Sequence, residues 1–454
     1  MHYKSLNLTS ENFEYVISEI ITLEDKPVIA VGVSGGADSI ALTLLLKSYL
    51  DNVDGKLIAL TVDHNIREES AEEAKQVHKL LSSLDIEHHI LNYEGEIPKS
   101  NLMEEARKLR YKLLNDFCKN NNIINLAIAH HYDDQIENFF IRMDRGSGIE
   151  GLSSMPATSY VNGLRLIRPL LFFQKQDIYS FLKQKNIAWT EDPTNNNTTY
   201  KRNNIRKLLE NINPLDKINT ERVFRTAAHM SRANFTINNS VNIFLSKHST
   251  LKDNNYITID LDEYKKTDSE ISLRVLSQLL QTFGCNIKPP RFEKLNNLHS
   301  AIRNQDTDFK KATLLGCVIV SNNNSLSIYR DHGLIDDNNF YFNKENNYSI
   351  HWDNRFLITL NNDSIRDRNC FVRKLNEDDR LQLKNIKVDF KGRNVDYLYS
   401  IPVIKTTIAN SNGETLEKII AVPHINYYTN DILLEDISVE FLPTKPLTKV
   451  VFEI

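Results

Sequence analysis

At 454 residues, 41% of them hydrophobic and 25% charged, the chain has globular composition and is too long for a single hydrophobic core, so several domains are expected. No apolar run approaches the roughly 20 residues of a membrane-spanning helix, and the start, MHYKSLNLTS, lacks the basic and apolar parts of a secretory signal, which predicts a cytoplasmic protein with no membrane partner. A formal net charge of −4 excludes a global attraction to polyanions and leaves any nucleic-acid partner to a local basic surface.

In chain order, the first 190 residues alternate short apolar runs, at 27–33, 57–62, 88–91, 126–129 and 164–167, with helical patterns. That is the texture of a βαβ series and predicts an α/β fold with a doubly wound parallel sheet. Ligands of such sheets bind at the carboxyl ends of the strands, where strand order reverses. Polar residues do cluster there: Ser34 follows the first run, Asp63 and His64 the second, and His130 to Glu137 the fourth.

The first run leads into Ser34, Gly35, Gly36, Ala37, Asp38, Ser39 and an apolar helix. Two glycines let the backbone bend and approach a ligand closely, and a helix start offers unpaired N–H groups to phosphates. Asp38 beside such a cradle suggests a Mg²⁺ held between protein and nucleotide. The pattern GxxxxGK[ST] is absent, which excludes a standard P-loop NTPase.

Further on, Arg107 and Arg110 project from a helix whose apolar stripe is expected at Leu109, Leu113 and Phe117. In AHHYDDQIEN, helical geometry from residue 130 onward places His130, Asp134 and Glu137 on one face, with Ile136, Phe139, Phe140 and Met143 opposite. Those carboxylates could hold Mg²⁺, bind an amine by counter-charge, or take its proton, and His130 is another candidate for that last role. Between residues 200 and 235 eight Lys or Arg stand against three acids, enough for a local basic surface that includes Arg202, Arg206, Arg222 and Arg225. Beyond about residue 215 the pattern turns helical, and from about 348 it alternates as strands do. Domains are therefore expected at 1–215 (catalytic), 216–345 (mainly helical) and 346–454 (β-rich), with linkers near 211–214 and 336–347. The four cysteines, Cys118, Cys285, Cys317 and Cys370, form no CxxC pair, so they read as free thiols and not as a zinc site or a disulfide framework.

The string SGGxDS resembles the PP-loop of the ATP pyrophosphatase superfamily. With VDHNIREESAEEA at 62–74, EEARKLRY at 104–111, AHHYDDQIEN at 129–138, RGSGIEGL at 145–152, RPLL at 168–171 and WTEDPTNNNTTYKRNNIR at 189–206, the chain resembles the tRNA(Ile)-lysidine synthetases. That resemblance implies an ATP- and Mg²⁺-dependent ligase. It joins free L-lysine to C2 of the wobble cytidine in the CAU anticodon of an isoleucine tRNA, through an adenylated cytidine, releasing pyrophosphate and AMP. By position, Ser34 to Ser39 would hold the phosphates, with Asp63 and His64 near the nucleotide. Asp38 and Asp133 would hold the metal. His130, Asp134 and Glu137 would form the lysine and catalytic set, and Arg110 and Arg202 would steady the reacting phosphate. The region after residue 215 would grip the tRNA, and a homodimer is among the assemblies the resemblance allows. Asn138 stands where the family usually has Thr, Ile66 where Leu is common, and Asp378 where Gly is expected. A tRNA thiolase would need cysteines in a sulfur-relay motif and an amidotransferase a glutaminase half; neither is present. A non-catalytic RNA-binding relative would have lost Asp38 or Glu137, and both are there.

Overall fold

The computed structural model describes residues 5–63, 68–93, 95, 102–161, 163–190, 204–205, 219–304, 309–386, 388, 390, 395–409 and 415–448. They form two compact units, one running to Thr236 and the other spanning Ile237–Lys449, with the division inside the helix Thr220–His248. Among the described residues no helix is long and apolar enough to cross a membrane.

In the first unit, α1 (Ser10–Ile20), β1 (Val28–Gly32), α2 (Ala37–Asn52), β2 (Lys56–Asp63), α3 (Glu68–Ser83), β3 (Glu87–Asn92), α4 (Leu102–Asn120) and β4 (Asn125–Ala127) are followed by α5 (Tyr132–Asp144), α6 (Ile149–Leu152), β5 (Thr158–Val161), β6 (Leu164–Ile167) and α7 (Lys175–Gln184). The strands lie in the order β3-β2-β1-β4-β6-β5, parallel except for β5 at the edge. All five predicted runs are strands. The strands β1, β2, β4 and β6 are buried on both faces and their side chains sort by parity, whereas β3, at the edge of the sheet, is buried only at His88. Ile29, Val31, Leu57, Ala59, Ala127 and Ile167 join the core under α1, α2, α3 and α7. Ala30, Ile58, Leu60, Leu126, Leu164 and Leu166 face α4. There the centre of the helical stripe is Leu114 and Cys118, fully enclosed, while Leu109, Leu113 and Phe117 flank it half-buried. Burying a leucine such as Leu42 or Leu46 of α2 contributes about 1.5–3 kcal/mol, so the helix that carries the glycine turn is firmly seated on the sheet. Strand order reverses between β1 and β4, and the turn after β1 opens beside the end of β4.

The second unit combines helices with sheets, as the change of texture predicts. Helices Ser269–Gly284 and Phe292–Arg303 pack on a five-stranded antiparallel sheet (Ser249–Lys252, Tyr256–Asp260, Lys311–Leu314, Cys317–Asn322, Ser325–Arg330), which the sequence pattern did not reveal. A five-stranded and a three-stranded sheet make up its β-rich carboxyl-terminal part. Asp353, bridged by Arg330 at 3.2 Å and by the fully buried Arg355 at 2.7 Å, ties strand Ser325–Arg330 to that part. All four cysteines are free.

Candidate functional site

The glycine turn is built from the backbone outward. Gly35 has φ of +83°, the left-handed region that a side chain disfavours, and its carbonyl accepts from the Thr190 N–H at 3.0 Å. Gly36 caps α2 with φ of −74° and no side-chain cap. A Cβ added there would meet only Ser34 Oγ, at 3.7 Å. Among the described residues nothing requires a glycine at 36, and a close ligand would. The Ser34 N–H donates to Ser39 Oγ at 3.2 Å, and that hydroxyl donates to the Gly36 carbonyl at 2.9 Å, which fixes the curvature of the turn. The exposed N–H groups at the start of the 16-residue α2 supply the positive end of a helix dipole.

Ser34, Gly36, Asp38 and Ser39 line a cavity of about 220 Å³ together with Leu60, Val62, Arg110 and His130. Apolar walls with a polar, cationic end suit a nucleotide. Asp38 Oδ1 is buried and has no hydrogen-bond partner among the described residues, an expensive state for a carboxylate oxygen without a cation. Among the described residues no group of three or more His, Cys, Asp or Glu could hold a metal ion.

His131, which sequence reasoning passed over, stands at the centre of the acids. Its Nε2 lies 3.7 Å from Asp38 Oδ2 and 3.6 Å from Asp134 Oδ2, and its Nδ1 3.5 Å from Asp133 Oδ2, with the ring 3% exposed. Burial works against the charged imidazole, but Asp134, Asp133 and Asp38 outweigh it and raise its pKa. For Asp38, burial pushes the carboxyl up and Asp134 and Asp133 add to that, while His131 and Lys175 pull it down; the net direction is up. Asp133 is held below the usual carboxylate range, because the nearby His131 and the hydrogen bond from the Lys175 N–H at 2.8 Å overcome its burial. Lys175 starts α7 and brings a cation from far along the chain, for which the sequence held no signal.

Helix α5 departs from the expected face. The Asp134 carboxylate accepts the His131 N–H at 3.0 Å, so the helix begins at Tyr132 and His130 lies before it, in the turn after β4, where it lines the cavity beside the glycine turn. Asp134 and Glu137 are buried, and Met143, expected to pack inward, is exposed. Asp63 closes β2, is buried, and accepts from Ser70 Oγ at 2.7 Å. Arg110 lines the nucleotide cavity. His64 and Arg202 lie outside the described residues, as do Lys201, Arg206, Lys207 and Lys217. Arg222, Arg225 and Arg232 are exposed on helix Thr220–His248, opposite the buried Phe224, Ala227 and Ala228.

Residues 9–212 match the family model described as a PP-loop domain. The tRNA(Ile)-lysidine synthase of Orientia tsutsugamushi is 33% identical over 95% of this chain and 97% of its own length. The protein of the same name from Wolbachia pipientis is 34% identical over 89% and 90%. Among solved structures, the U34-tRNA thiolase NcsA from Methanococcus maripaludis is 17% identical with a TM-score of 0.42, covering 48% of this chain and 78% of that one, a likeness that carries no argument about this chain.

Proposed function

The chain belongs to the tRNA(Ile)-lysidine synthase family, and from that premise we propose how an ATP-using tRNA-modifying ligase performs its chemistry on this site. ATP lies with its phosphates on the turn Ser34 to Ser39. The C2 carbonyl oxygen of the wobble cytidine attacks the α-phosphorus and the α–β bridging oxygen leaves with pyrophosphate, which the N–H groups of the turn and the start of α2 stabilise as charge builds on it. Arg110 and Arg202 neutralise the reacting phosphate. The ε-amine of free L-lysine then attacks C2 of the adenylated base and the C2–O bond breaks, releasing AMP and leaving lysidine. An ammonium is not a nucleophile, so Asp134 and Glu137 serve first as its counter-charges, and they or His130 accept the proton it loses.

Mg²⁺, when bound, would neutralise phosphate charge beside Asp38, the residue that fits it best; Asp133 has one oxygen committed to the Lys175 N–H. Asp63 and His64 are assigned to the nucleotide, and the chain beyond residue 215 to the tRNA. The observation that carries the reading is the buried Asp38 oxygen, without a partner among the described residues, in the first turn of a helix whose start has a glycine that no described residue requires. Glu137→Gln tests the second half-reaction. The variant is expected to release pyrophosphate from ATP in a tRNA-dependent manner while lysidine formation falls at least about a hundredfold; near-normal lysidine formation would remove Glu137 from the amine site.

A further inference from the structure

Beside the nucleotide cavity, on the α4 side of the sheet, runs a second groove of about 510 Å³ that the chemistry above leaves unused. Its floor is apolar, from Leu164 and Leu166 of β6 and the half-exposed Val161 of the edge strand β5. Its wall is α4, where Arg107, Lys108 and Lys112 face two acids, Glu104 and Asp116. Arg107 and Tyr111 line both the groove and the cavity beside the glycine turn, so the two adjoin.

Arg168 lies two residues beyond Leu166 of the floor, behind the lining of the groove. It follows β6 with the parity of Leu164 and Leu166, which directs it toward α4. The side chain is only 9% exposed. Nη1 donates to the Pro156 carbonyl at 2.7 Å and to Ser159 Oγ at 3.2 Å, and Nε has no partner among the described residues. No described carboxylate pairs with this buried cation; burial pushes its pKa down, Tyr111 of α4 pulls it up and Arg107 of α4 adds to the lowering. Arg107 in turn lies over the Tyr111 ring at 5.3 Å and has no described ion pair. Arg168 is a buried guanidinium without an acid, a cost that an anion held between it and the exposed Arg107 would offset.

We propose that this groove is the subsite for the single-stranded RNA flanking the target cytidine, with Arg107 and Arg168 clamping a backbone phosphate and the apolar floor and Tyr111 receiving a neighbouring base. Single strands are held by cations along the backbone and flat apolar surfaces under the bases. The groove supplies both, and it adjoins the cavity where the cytidine must meet ATP. The inference rests on the proposed function, since it takes the substrate to be RNA presented to that cavity.

The test is equilibrium binding of an unmodified tRNA transcript with a CAU anticodon over a salt series. It uses wild-type protein, the exposed-site variant Lys112→Glu, and the pair Arg168→Gln and Arg168→Lys, with thermal unfolding as a control. Lys112→Glu is expected to melt as wild type, to show the same ATP-induced stabilisation, to bind tRNA about tenfold more weakly and to lower the log–log salt slope by about one. Arg168→Gln is expected to lose affinity that Arg168→Lys restores in part. Wild-type affinity and slope in Lys112→Glu, with wild type binding normally, would overturn the groove alone. No binding of the transcript by wild type would overturn the groove and the proposed function together.

Discussion

Exchanging each glycine of the phosphate turn for alanine separates a glycine needed by the fold from one needed by a ligand. At Gly36 the backbone is extended, with φ of −74°, and the new methyl would touch only Ser34 Oγ, at 3.7 Å. Alanine is the poorer N-cap by several tenths of a kcal/mol, and the stiffer unfolded chain returns about 0.4–1 kcal/mol, so the apoprotein should change by less than about 0.5 kcal/mol. In a unit of this size that is a Tm shift of about 2 °C or less. The same methyl stands where a phosphate would approach the start of α2. Losing one charge-assisted N–H contact there costs about 1.5–3 kcal/mol, which is about 10- to 100-fold in the KM for ATP. Gly35→Ala behaves differently. With φ of +83° and a Cβ 3.0 Å from Val77 Cγ2, it loses about 1–2 kcal/mol without any nucleotide and melts roughly 4 °C lower. The assay is thermal unfolding with and without ATP, together with tRNA-dependent pyrophosphate release at varied ATP. An unchanged KM for ATP in Gly36→Ala would refute the phosphate assignment.

Three further outcomes follow from particular side chains. Asp38→Asn removes a carboxylate whose pKa burial raises; the apoprotein should melt no lower than wild type while Mg²⁺-dependent pyrophosphate release disappears, and retained release would take Asp38 out of the metal site. His88 is buried against Thr61 at 2.8 Å and beside His78, and burial first, then the charges of His78 and His89, lower its pKa from 6.5 to about 4. The unfolded chain therefore takes up that proton first, and stability, constant above pH 6.5, falls as pH drops toward 4 by on the order of 2–3 kcal/mol; His88→Gln should flatten this fall in denaturant titrations, and an identical pH dependence would contradict it. Charge reversal of Arg222 and Arg225 together, both exposed on one helix face, should weaken tRNA binding with a shallower salt dependence and leave ATP binding alone; unaltered affinity at low salt would exclude that face.

The parts of the molecule legible in the sequence are those whose cause is local. Strands such as Ile29 to Val31 and Ile58 to Leu60 are buried on both faces, so they stand out as apolar runs. The edge strand β5, TSYV, shows no such run because Tyr160 and Val161 face solvent. The strands STLK and YITID of the second unit are short and half polar, and the helical periodicity around them dominated. Within the site, the glycine turn was readable because the bend, the glycines and the helix start are contiguous. The cluster around His131 was not, since Asp38, Asp133 and Lys175 meet it from three elements that only the folded sheet assembles. A helical wheel begun at His130 starts two residues too early. The Asp134 carboxylate caps the His131 N–H and starts the helix at Tyr132, which places His130 at the nucleotide cavity instead of on the carboxylate face.

The most direct measurement is mass spectrometry of the nucleosides from an unmodified isoleucine tRNA with a CAU anticodon, incubated with the protein, ATP, Mg²⁺ and isotopically labelled L-lysine. The proposed chemistry predicts a labelled lysidine peak that requires both ATP and lysine, with AMP and pyrophosphate formed in equal amounts. Pyrophosphate release with no labelled nucleoside would contradict the lysine step, and release of neither product would contradict the assignment of the site.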